Sequence, residues 1–249
     1  MAKIGSSICA NVGEWLSVHT RWGDNRKFQR NEVFMRATSR PRILIADDHT
    51  LVAEAFKTFL AADFEVIATV HDGRSLIASA TALRPDVVVT DIAMPLLNGL
   101  DAADRIKRSL PDVKVIFVTL HRDPSLIAEA FRHRASAYLL KTSAASELVT
   151  AIGQALRGKT YLSPSLRALT PALIGLLDEI PSTREKLTDR QVEVLQLLAE
   201  GRSMKEAAAV LHLKTETVAF HKYRIMSSLN LQNDAEIVQC AMREHMVFS

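Results

Sequence analysis

Residues 87–91, Val-Val-Val-Thr-Asp, decide the fold, because an apolar, β-branched run ends there in a carboxylate. A short continuous run of this kind is typical of a fully buried strand. A second run, Ile43–Ala46, ends in the acidic pair Asp47 and Asp48. If the two strands lie side by side and parallel, they gather three carboxylates at one edge of a sheet. Because carboxylates repel one another, the cluster predicts a bound cation, and oxygen ligands with room for water favour Mg²⁺.

Strand-like and helix-like patterns alternate from residue 42 to residue 157. We predict strands at 42–46, 64–70, 87–91, 113–119 and 137–140, and helices near 50–61, 74–83, 99–109, 124–133 and 144–157. Such β–α units with apolar strands predict an α/β fold with a five-stranded, parallel, doubly wound sheet. Functional sites in these sheets lie at the carboxyl ends of the strands. The chemistry-bearing residues at those ends are Asp47, Asp48, Asp91, Thr119 and Lys141.

The C-terminal region has a purely helical pattern, with helices predicted at about 189–200, 204–211, 215–229 and 234–245. Capping boxes begin at Thr188 and Ser203. The short junction at 212–214 predicts a helix-turn-helix. We therefore divide the chain into an extension at 1–40, an α/β domain at 41–158, a linker at 159–183 and a small all-α domain at 184–249.

The extension at 1–40 has no sustained periodicity, which is typical of a disordered segment. Two alternatives stay open: translation begins at Met35, or the extension is a docking arm. Residues 1–41 hold seven lysines and arginines against three acids, a surplus of four, while the whole chain has a net charge of +3. The basic excess therefore lies outside the folded domains, and bulk charge is no argument for nucleic-acid binding.

The composition favours a soluble protein of the cytoplasm. Hydrophobic residues make up 48% of the chain and charged residues 24%, the values of a globular protein. We find neither a secretory signal nor an apolar stretch of membrane-spanning length. Cys9 and Cys240 lie far apart, which suggests neither a disulfide framework nor a zinc site and favours a reducing compartment.

The segment 42–157 resembles the receiver domain of two-component response regulators. The resemblance rests on these residues: Asp47, Asp48, Asp91, Pro95, Gly99, Thr119, Tyr138 and Lys141. It implies that Asp91 accepts a phosphoryl group from a sensor histidine kinase. It also implies that Mg²⁺ is bound by Asp47, Asp48, Asp91 and the carbonyl group of Ala93.

The same resemblance implies roles for residues around the phosphoryl group. Thr119 and Lys141 would contact it, and Tyr138 would be the switch aromatic whose ring moves inward when the threonine hydroxyl turns toward the phosphate. For any one of these residues alone, a solvated strand-end acid or a core tyrosine is the simpler interpretation. Arg134, Ala137 and Leu120 depart from the family pattern, where glycine or a small residue is usual, and could alter switching or the lifetime of the phosphate.

Residues 187–247 resemble the LuxR-type DNA-binding domain of the NarL/FixJ subfamily. The residues that carry the resemblance include Leu187, Thr188, Arg190, Glu193, Gly201, Lys205, Glu206, Thr217, Val218 and His221. The resemblance implies that helix 215–229 enters the major groove. The implied DNA contacts are Lys214, Thr217, Ala219, Phe220, His221, Lys222 and Tyr223.

Other interpretations of this helix stay open. Phe220 could equally be a buried ring of a small helical core, and the lysines could form an ordinary solvated face. Gln191, Lys214 and Ala207 replace residues that are usual in the family. The last predicted helix dimerises in that family, so we expect a homodimer when the protein is phosphorylated. The alternative for this helix is packing within one chain only. RNA polymerase is a further candidate partner.

Residues 153–160, Gly-Gln-Ala-Leu-Arg-Gly-Lys-Thr, match the P-loop pattern completely. A P-loop follows a strand and opens a helix, so that its backbone can hold phosphate. Here a helical pattern precedes the motif and an extended one follows it. We therefore predict a helix C-terminus without a nucleotide.

These observations together predict a transcription regulator controlled by phosphorylation. One rival is a phosphatase with an aspartate nucleophile, which usually needs a second carboxylate two residues later, where this chain has Ala93. The other rival is a regulator that binds DNA or protein without phosphorylation. Absence of Mg²⁺ binding would favour that second rival.

Overall fold

A computed structural model describes residues 40–169 and 186–248. The predictions for the N-terminal extension and for most of the linker lie outside these residues. Within the described part of the chain, no helix is long and apolar enough to cross a membrane.

The first domain is a parallel α/β sandwich, as predicted. Its strands are β1 Arg42–Ala46, β2 Glu65–Val70, β3 Val87–Thr90, β4 Lys114–Thr119, β5 Ala137–Leu140 and β6 Tyr161–Leu162, in the order β2-β1-β3-β4-β5-β6. Its helices are α1 Thr50–Leu60, α2 Gly73–Leu83, α3 Gly99–Ser109, α4 Pro124–Arg132 and α5 Ala144–Leu156. Because β1 and β3 are neighbours, the residues that follow them meet at the carboxyl edge of the sheet.

The prediction of five strands was wrong by one strand. Tyr161–Leu162 adds a sixth strand beside β5, within the segment that we assigned to the linker. Tyr161 N donates to Ser136 O at 3.0 Å and Ser163 N donates to Tyr138 O at 3.0 Å. A two-residue strand is too short to show alternation in the sequence, and its backbone hydrogen bonds carry no sequence signal.

The sheet is buried because its strands are apolar on both faces. Ile43, Ile45, Val87 and Val89 belong to one core cluster in which they pack with side chains of α1 and α5. Parallel strands covered by helices on both sides need this composition. The core therefore holds the ends of β1 and β3 rigidly at the edge where the acidic residues lie.

The second domain consists of four helices, α6 Asp189–Ala199, α7 Met204–Leu211, α8 Thr215–Leu229 and α9 Asp234–Arg243. Both predicted capping boxes are present, at Thr188 and at Ser203. His212, at φ 55°, adopts a left-handed conformation that turns the chain between α7 and α8. Val218 and Ile225 bury one face of α8. The predicted helix-turn-helix is thus formed by α7 and α8.

The P-loop motif is a coincidence of sequence, as its context predicted. Gly153 lies inside α5, and β6 follows the motif. The order is helix and then strand, which is the reverse of a phosphate-binding loop.

Candidate functional site

The acidic residues meet where β1 and β3 end. Asp47 and Asp91 are buried, with 1% and 5% of their surface exposed, whereas Asp48 is exposed. Asp91 N donates to Ala46 O at 2.9 Å, which fixes the end of β3 beside the end of β1. Three carboxylates, two of them buried and one exposed to solvent, thus lie together at the ends of these two strands.

Lys141 supplies the opposing charge from the end of β5. Its Nζ lies 2.8 Å from Asp47 Oδ2 and 2.7 Å from Asp91 Oδ2. Burial alone would lower the pKa of Lys141, but the charge of Asp91 and the hydrogen bonds to both carboxylates outweigh burial and raise it. Burial raises the pKa of Asp47, although its hydrogen bond with Lys141 acts in the opposite direction. The ammonium group therefore stays charged and holds the two acids together.

The same edge could hold a metal ion. One ligand atom from each of Asp47, Asp48, His49 and Asp91 lies within 4.8 Å of the others. The donor set consists mainly of carboxylate oxygens, one of them facing solvent, which suits a hard cation that keeps several waters. The residues present therefore fit a divalent cation.

His49 is a member of this cluster that the sequence did not reveal. Its backbone N donates to Asp47 Oδ1 at 2.9 Å, and its Nδ1 lies 2.8 Å from Asp48 Oδ1. It occupies the position before α1, where a polar residue is ordinary, so no pattern distinguished it. His49 restrains both members of the acidic pair.

The carboxylate of Asp91 is oriented by the backbone that follows it. Its Oδ1 accepts hydrogen bonds from Ile92 N at 2.6 Å and from Ala93 N at 3.4 Å. Gly99 packs directly under this segment, because a Cβ atom there would lie 1.9 Å from Asp91 O. The glycine in the predicted loop is therefore required by the close approach of α3 to Asp91.

Thr119 ends β4, and Tyr138, inside the neighbouring strand β5, is linked to it through His121. Both are fully buried. The Tyr138 hydroxyl donates to His121 O at 3.1 Å, and His121 N makes a long contact of 3.5 Å with Thr119 Oγ1. Burial, together with the charges of Asp91 and Asp123, raises the pKa of Tyr138. The tyrosine is thus a neutral donor whose ring is inside the domain in this structure.

The helix-turn-helix presents an exposed aromatic face on α8. Phe220 and Tyr223 are 57% and 70% exposed, so the interpretation of Phe220 as a core residue was wrong. The Arg224 guanidinium lies 5.6 Å from the centre of the Phe220 ring. Lys214 is exposed at the N-cap of α8.

The other predicted contact residues of α8 are less accessible. Thr217, Ala219 and His221 are half-buried. The side chain of Lys222 is only 16% exposed, and its Nζ lies 2.5 Å from Asp234 Oδ1 at the start of α9. The structure therefore joins Lys222 to a neighbouring helix, while the other six predicted contact residues lie along α8 or at its N-cap.

The fold and the acidic edge define a signalling protein with a receiver domain and a DNA-binding output domain. Residues 43–153 match the response regulator receiver domain, and residues 185–241 match the bacterial regulatory proteins of the luxR family. The chain belongs to the response regulators that combine these two domains. The predicted family is thus confirmed.

Similar proteins agree with this assignment over most of the chain. The oxygen regulatory protein NreC of Staphylococcus epidermidis is 33% identical over 218 residues, which cover 83% of this chain and 99% of that protein. The transcriptional regulatory protein LiaR of Bacillus subtilis is 34% identical, covering 83% of this chain and 99% of its own. These relatives are regulators, so the chain is a transcriptional response regulator and not an enzyme such as a phosphatase.

Solved structures are similar to most or to about half of the chain. The two-component response regulator RcsB in its DNA complex is 25% identical, with a TM-score of 0.51, and the match covers 83% of this chain and 99% of RcsB. A LuxR-family response regulator from an Aurantimonas species is 28% identical with a TM-score of 0.52, over 54% of this chain and 97% of that one.

Proposed function

We propose that Asp91 is the phosphoacceptor of this response regulator and that a sensor histidine kinase is the donor. The observation that carries the proposal is the placement of the Asp91 carboxylate between Lys141 and the backbone N–H of Ile92. An oriented carboxylate is a competent nucleophile toward phosphorus. The Asp91 oxygen forms the new P–O bond, the bond from phosphorus to the donor's leaving group breaks, and an acyl phosphate results.

Mg²⁺ is the cation that we assign to the acidic edge. Its ligands would be Asp47, Asp48, Asp91 and the carbonyl group of Ala93, and when bound it would neutralise charge on the phosphoryl oxygens. Lys141 is already in place to stabilise the same developing charge. The Thr119 hydroxyl would donate a hydrogen bond to a phosphoryl oxygen.

Tyr138 would report the change in Thr119 to the surface. Its hydroxyl already holds the carbonyl group of His121, two residues after Thr119. When the threonine hydroxyl turns toward the phosphoryl group, the contact between His121 N and Thr119 Oγ1 is lost. A local charge event is thereby converted into a movement of the segment that follows β4.

We further propose that α8 reads DNA in the major groove. Phe220 and Tyr223 present the exposed aromatic surface that could contact thymine methyl groups and donate to a base or phosphate. Lys214, at the positive end of the helix, suits a backbone phosphate. The remaining contacts of the helix would be Thr217, Ala219, His221 and, after its ion pair with Asp234 opens, Lys222.

The assembled form is proposed to be a homodimer that binds two symmetry-related half-sites. RcsB has been seen as dimers bound to DNA, which supports this assembly for the present chain.

Because the operator and the kinase's phosphorylated domain lie in the cytoplasm, we place the protein there. RNA polymerase is the partner through which it would act on transcription.

The test is phosphorylation of the full chain by a small phosphodonor with Mg²⁺, followed by intact-mass spectrometry. Wild type should gain one phosphoryl group, and Asp91→Asn should gain none. Asp112→Asn, in the exposed turn before β4, is the matched control and should behave as wild type. DNA binding is measured in parallel on genomic fragments, and donor-dependent binding that persists unchanged in Asp91→Asn would refute the proposal.

A further inference from the structure

The segment that follows the phosphoacceptor is held by the DNA-binding domain. Residues 93–98, here called the acceptor loop, connect Asp91 to α3. Asn98 N donates to Gln196 Oε1 at 2.8 Å, and Gln196 Nε2 donates to Met94 O at 3.0 Å. One side chain of α6 therefore bridges both ends of the loop.

Glu200, the C-cap residue of α6, holds the middle of the acceptor loop. Leu96 N donates to Glu200 Oε1 at 2.9 Å, and the same oxygen accepts from Gln196 Nε2 at 2.9 Å. Leu96 has a φ of 65°, a left-handed conformation that is unfavourable for a residue with a branched side chain. The hydrogen bond that Leu96 N donates to Glu200 helps to keep the loop in this conformation.

These contacts are buried, so water does not readily replace them. Gln196 is 1% exposed and Asn98 is fully buried. If the amide group of Gln196 were removed, the N–H of Asn98 and the carbonyl group of Met94 would lose their partner in a buried place, which is costly. The loop would then have to rearrange or admit water.

The helix that carries Gln196 is itself anchored on the receiver domain. Arg105 on α3 lies 2.7 Å from Glu193 Oε1, and both side chains are largely buried. Arg105 also donates to Asp189 O at 2.8 Å. Gln196 and Glu200 are therefore presented to the loop from a fixed position.

The metal-facing side of the loop opens into a space shared by the two domains. A pocket of about 690 Å³ is bordered by Asp48 and Ala93 on one side and by Gln196 and Glu200 on the other. Ala93 is the residue whose carbonyl group is assigned to the metal, and Met94, held by Gln196, is its neighbour. The position of that carbonyl group thus depends on hydrogen bonds from the DNA-binding domain.

We infer that Gln196, assisted by Glu200, is a positioning residue for the phosphorylation centre and sets its affinity for Mg²⁺. The inference rests on the proposed metal site at Asp47, Asp48 and Asp91. By linkage, if docking of α6 favours Mg²⁺ binding, bound Mg²⁺ must favour docking of α6 to the same extent. The DNA-binding domain then contributes residues to the phosphorylation centre that regulates it.

The experiment measures Mg²⁺ binding to the full chain by calorimetry and by amide NMR shifts, and uses variants of matched shape. Gln196→Met keeps the packing volume and removes the two hydrogen bonds to the loop, at Asn98 N and Met94 O, together with the one to Glu200. Glu200→Met removes the acceptor for Leu96 N, whereas Glu200→Gln keeps an acceptor oxygen and is the control. We expect the half-saturating Mg²⁺ concentration to rise about three- to tenfold in the two methionine variants, as loss of one or two loop hydrogen bonds implies. Glu200→Gln should stay within about twofold of wild type.

The rate of phosphorylation by a small donor separates positioning from general damage. At saturating Mg²⁺ the methionine variants should recover the wild-type rate, because only the assembly of the metal site is impaired. Wild-type Mg²⁺ affinity in Gln196→Met and Glu200→Met would overturn the inference, as would an equal loss in Glu200→Gln. If Gln196→Met does not fold, the two Glu200 variants decide the matter. If wild type itself binds no Mg²⁺, the proposed metal site fails first, and the inference with it.

Discussion

The packing of Gly99 against Asp91 leads to a sharp prediction about stability. In Gly99→Ala the new Cβ would lie 1.9 Å from Asp91 O and 3.1 Å from Ile92 Cα. Real Cβ atoms do not approach within 3.0 Å, so backbone must move by more than an ångström. Asp91 O also accepts the Thr90 hydroxyl at 2.8 Å, so moving it disturbs β3. Overpacking of this kind costs about 1–3 kcal/mol, and the rigid backbone here places Gly99→Ala at the upper end, about 3 kcal/mol.

Gly153→Ala is the matched control for this prediction. Gly153 is also helical, and a Cβ there meets nothing within 4 Å. Replacing an unobstructed helical glycine with alanine should stabilise the domain by about 0.5–1 kcal/mol. The two identical substitutions should therefore change stability in opposite directions.

Native-state hydrogen exchange of the buried β3 amides is the suitable assay, because it reports the unfolding free energy of the receiver domain separately from that of the helical domain. If Gly99→Ala lowered that free energy by less than about 0.5 kcal/mol, the steric reasoning would be refuted, since a relaxed backbone would then absorb the contact at little cost. Gly99→Ala should also reduce phosphorylation at Asp91, whose carbonyl it displaces, while Gly153→Ala should not.

Three further predictions concern charge and the DNA-binding face. Lys141→Met leaves two buried carboxylates without their counter-charge and should lower the free energy of unfolding by about 3–5 kcal/mol. In thermal unfolding, Mg²⁺ should stabilise this variant more than it stabilises wild type. Phe220→Ala and Tyr223→Ala should each weaken operator binding by about 1 kcal/mol or more, with an unchanged salt slope in binding titrations, because neither ring carries charge. Burial lowers the pKa of Lys107 to about 8. Between pH 8 and the ordinary lysine pKa, the unfolded chain therefore holds more protons than the folded chain. The free energy of unfolding should rise with pH over this range by up to about 2 kcal/mol relative to Lys107→Met, which urea titrations at several pH values would measure.

The strands and the acidic edge could be predicted because they follow from local pattern. Continuous apolar runs gave β1 and β3, and a parallel sheet forces the residues after them to the same edge. The sixth strand escaped prediction since its two residues pair through backbone atoms alone. His49 escaped it as well, because its contacts with the acidic pair depend on the turn into α1 and on no spacing in the sequence.

Long-range side-chain partners could not be predicted from the sequence. Lys222 belongs by position to the proposed DNA-reading helix, but its partner Asp234 lies on the next helix. Gln196 occupies a helical position in α6 where nothing nearby in sequence indicates Met94 or Asn98. Such pairs depend on how elements dock, and a single sequence does not encode docking as a period or a motif.

The docked arrangement leaves the proposed DNA-reading face of α8 accessible. Phe220 and Tyr223 are exposed while α6 is bound to the receiver, so contact between the domains does not act by covering these two rings. The receiver meets the other domain instead at α6, at α7, where Arg74 Nη1 donates to Val210 O at 2.5 Å, and at the chain's C-terminal segment, where the Phe248 ring stacks on His121 at 4.1 Å between ring centres.

That segment continues from α9, the helix expected to dimerise. His121 is therefore held from two sides, by the Tyr138 hydroxyl on its carbonyl oxygen and by Phe248 on its ring. A shift of Thr119 that moved His121 would disturb the stacking with Phe248 before it reached α8. The geometry thus connects the proposed phosphorylation site more directly to α9, the helix expected to dimerise, than to α8, the proposed recognition helix, and a change in dimerisation is the output that this connection favours.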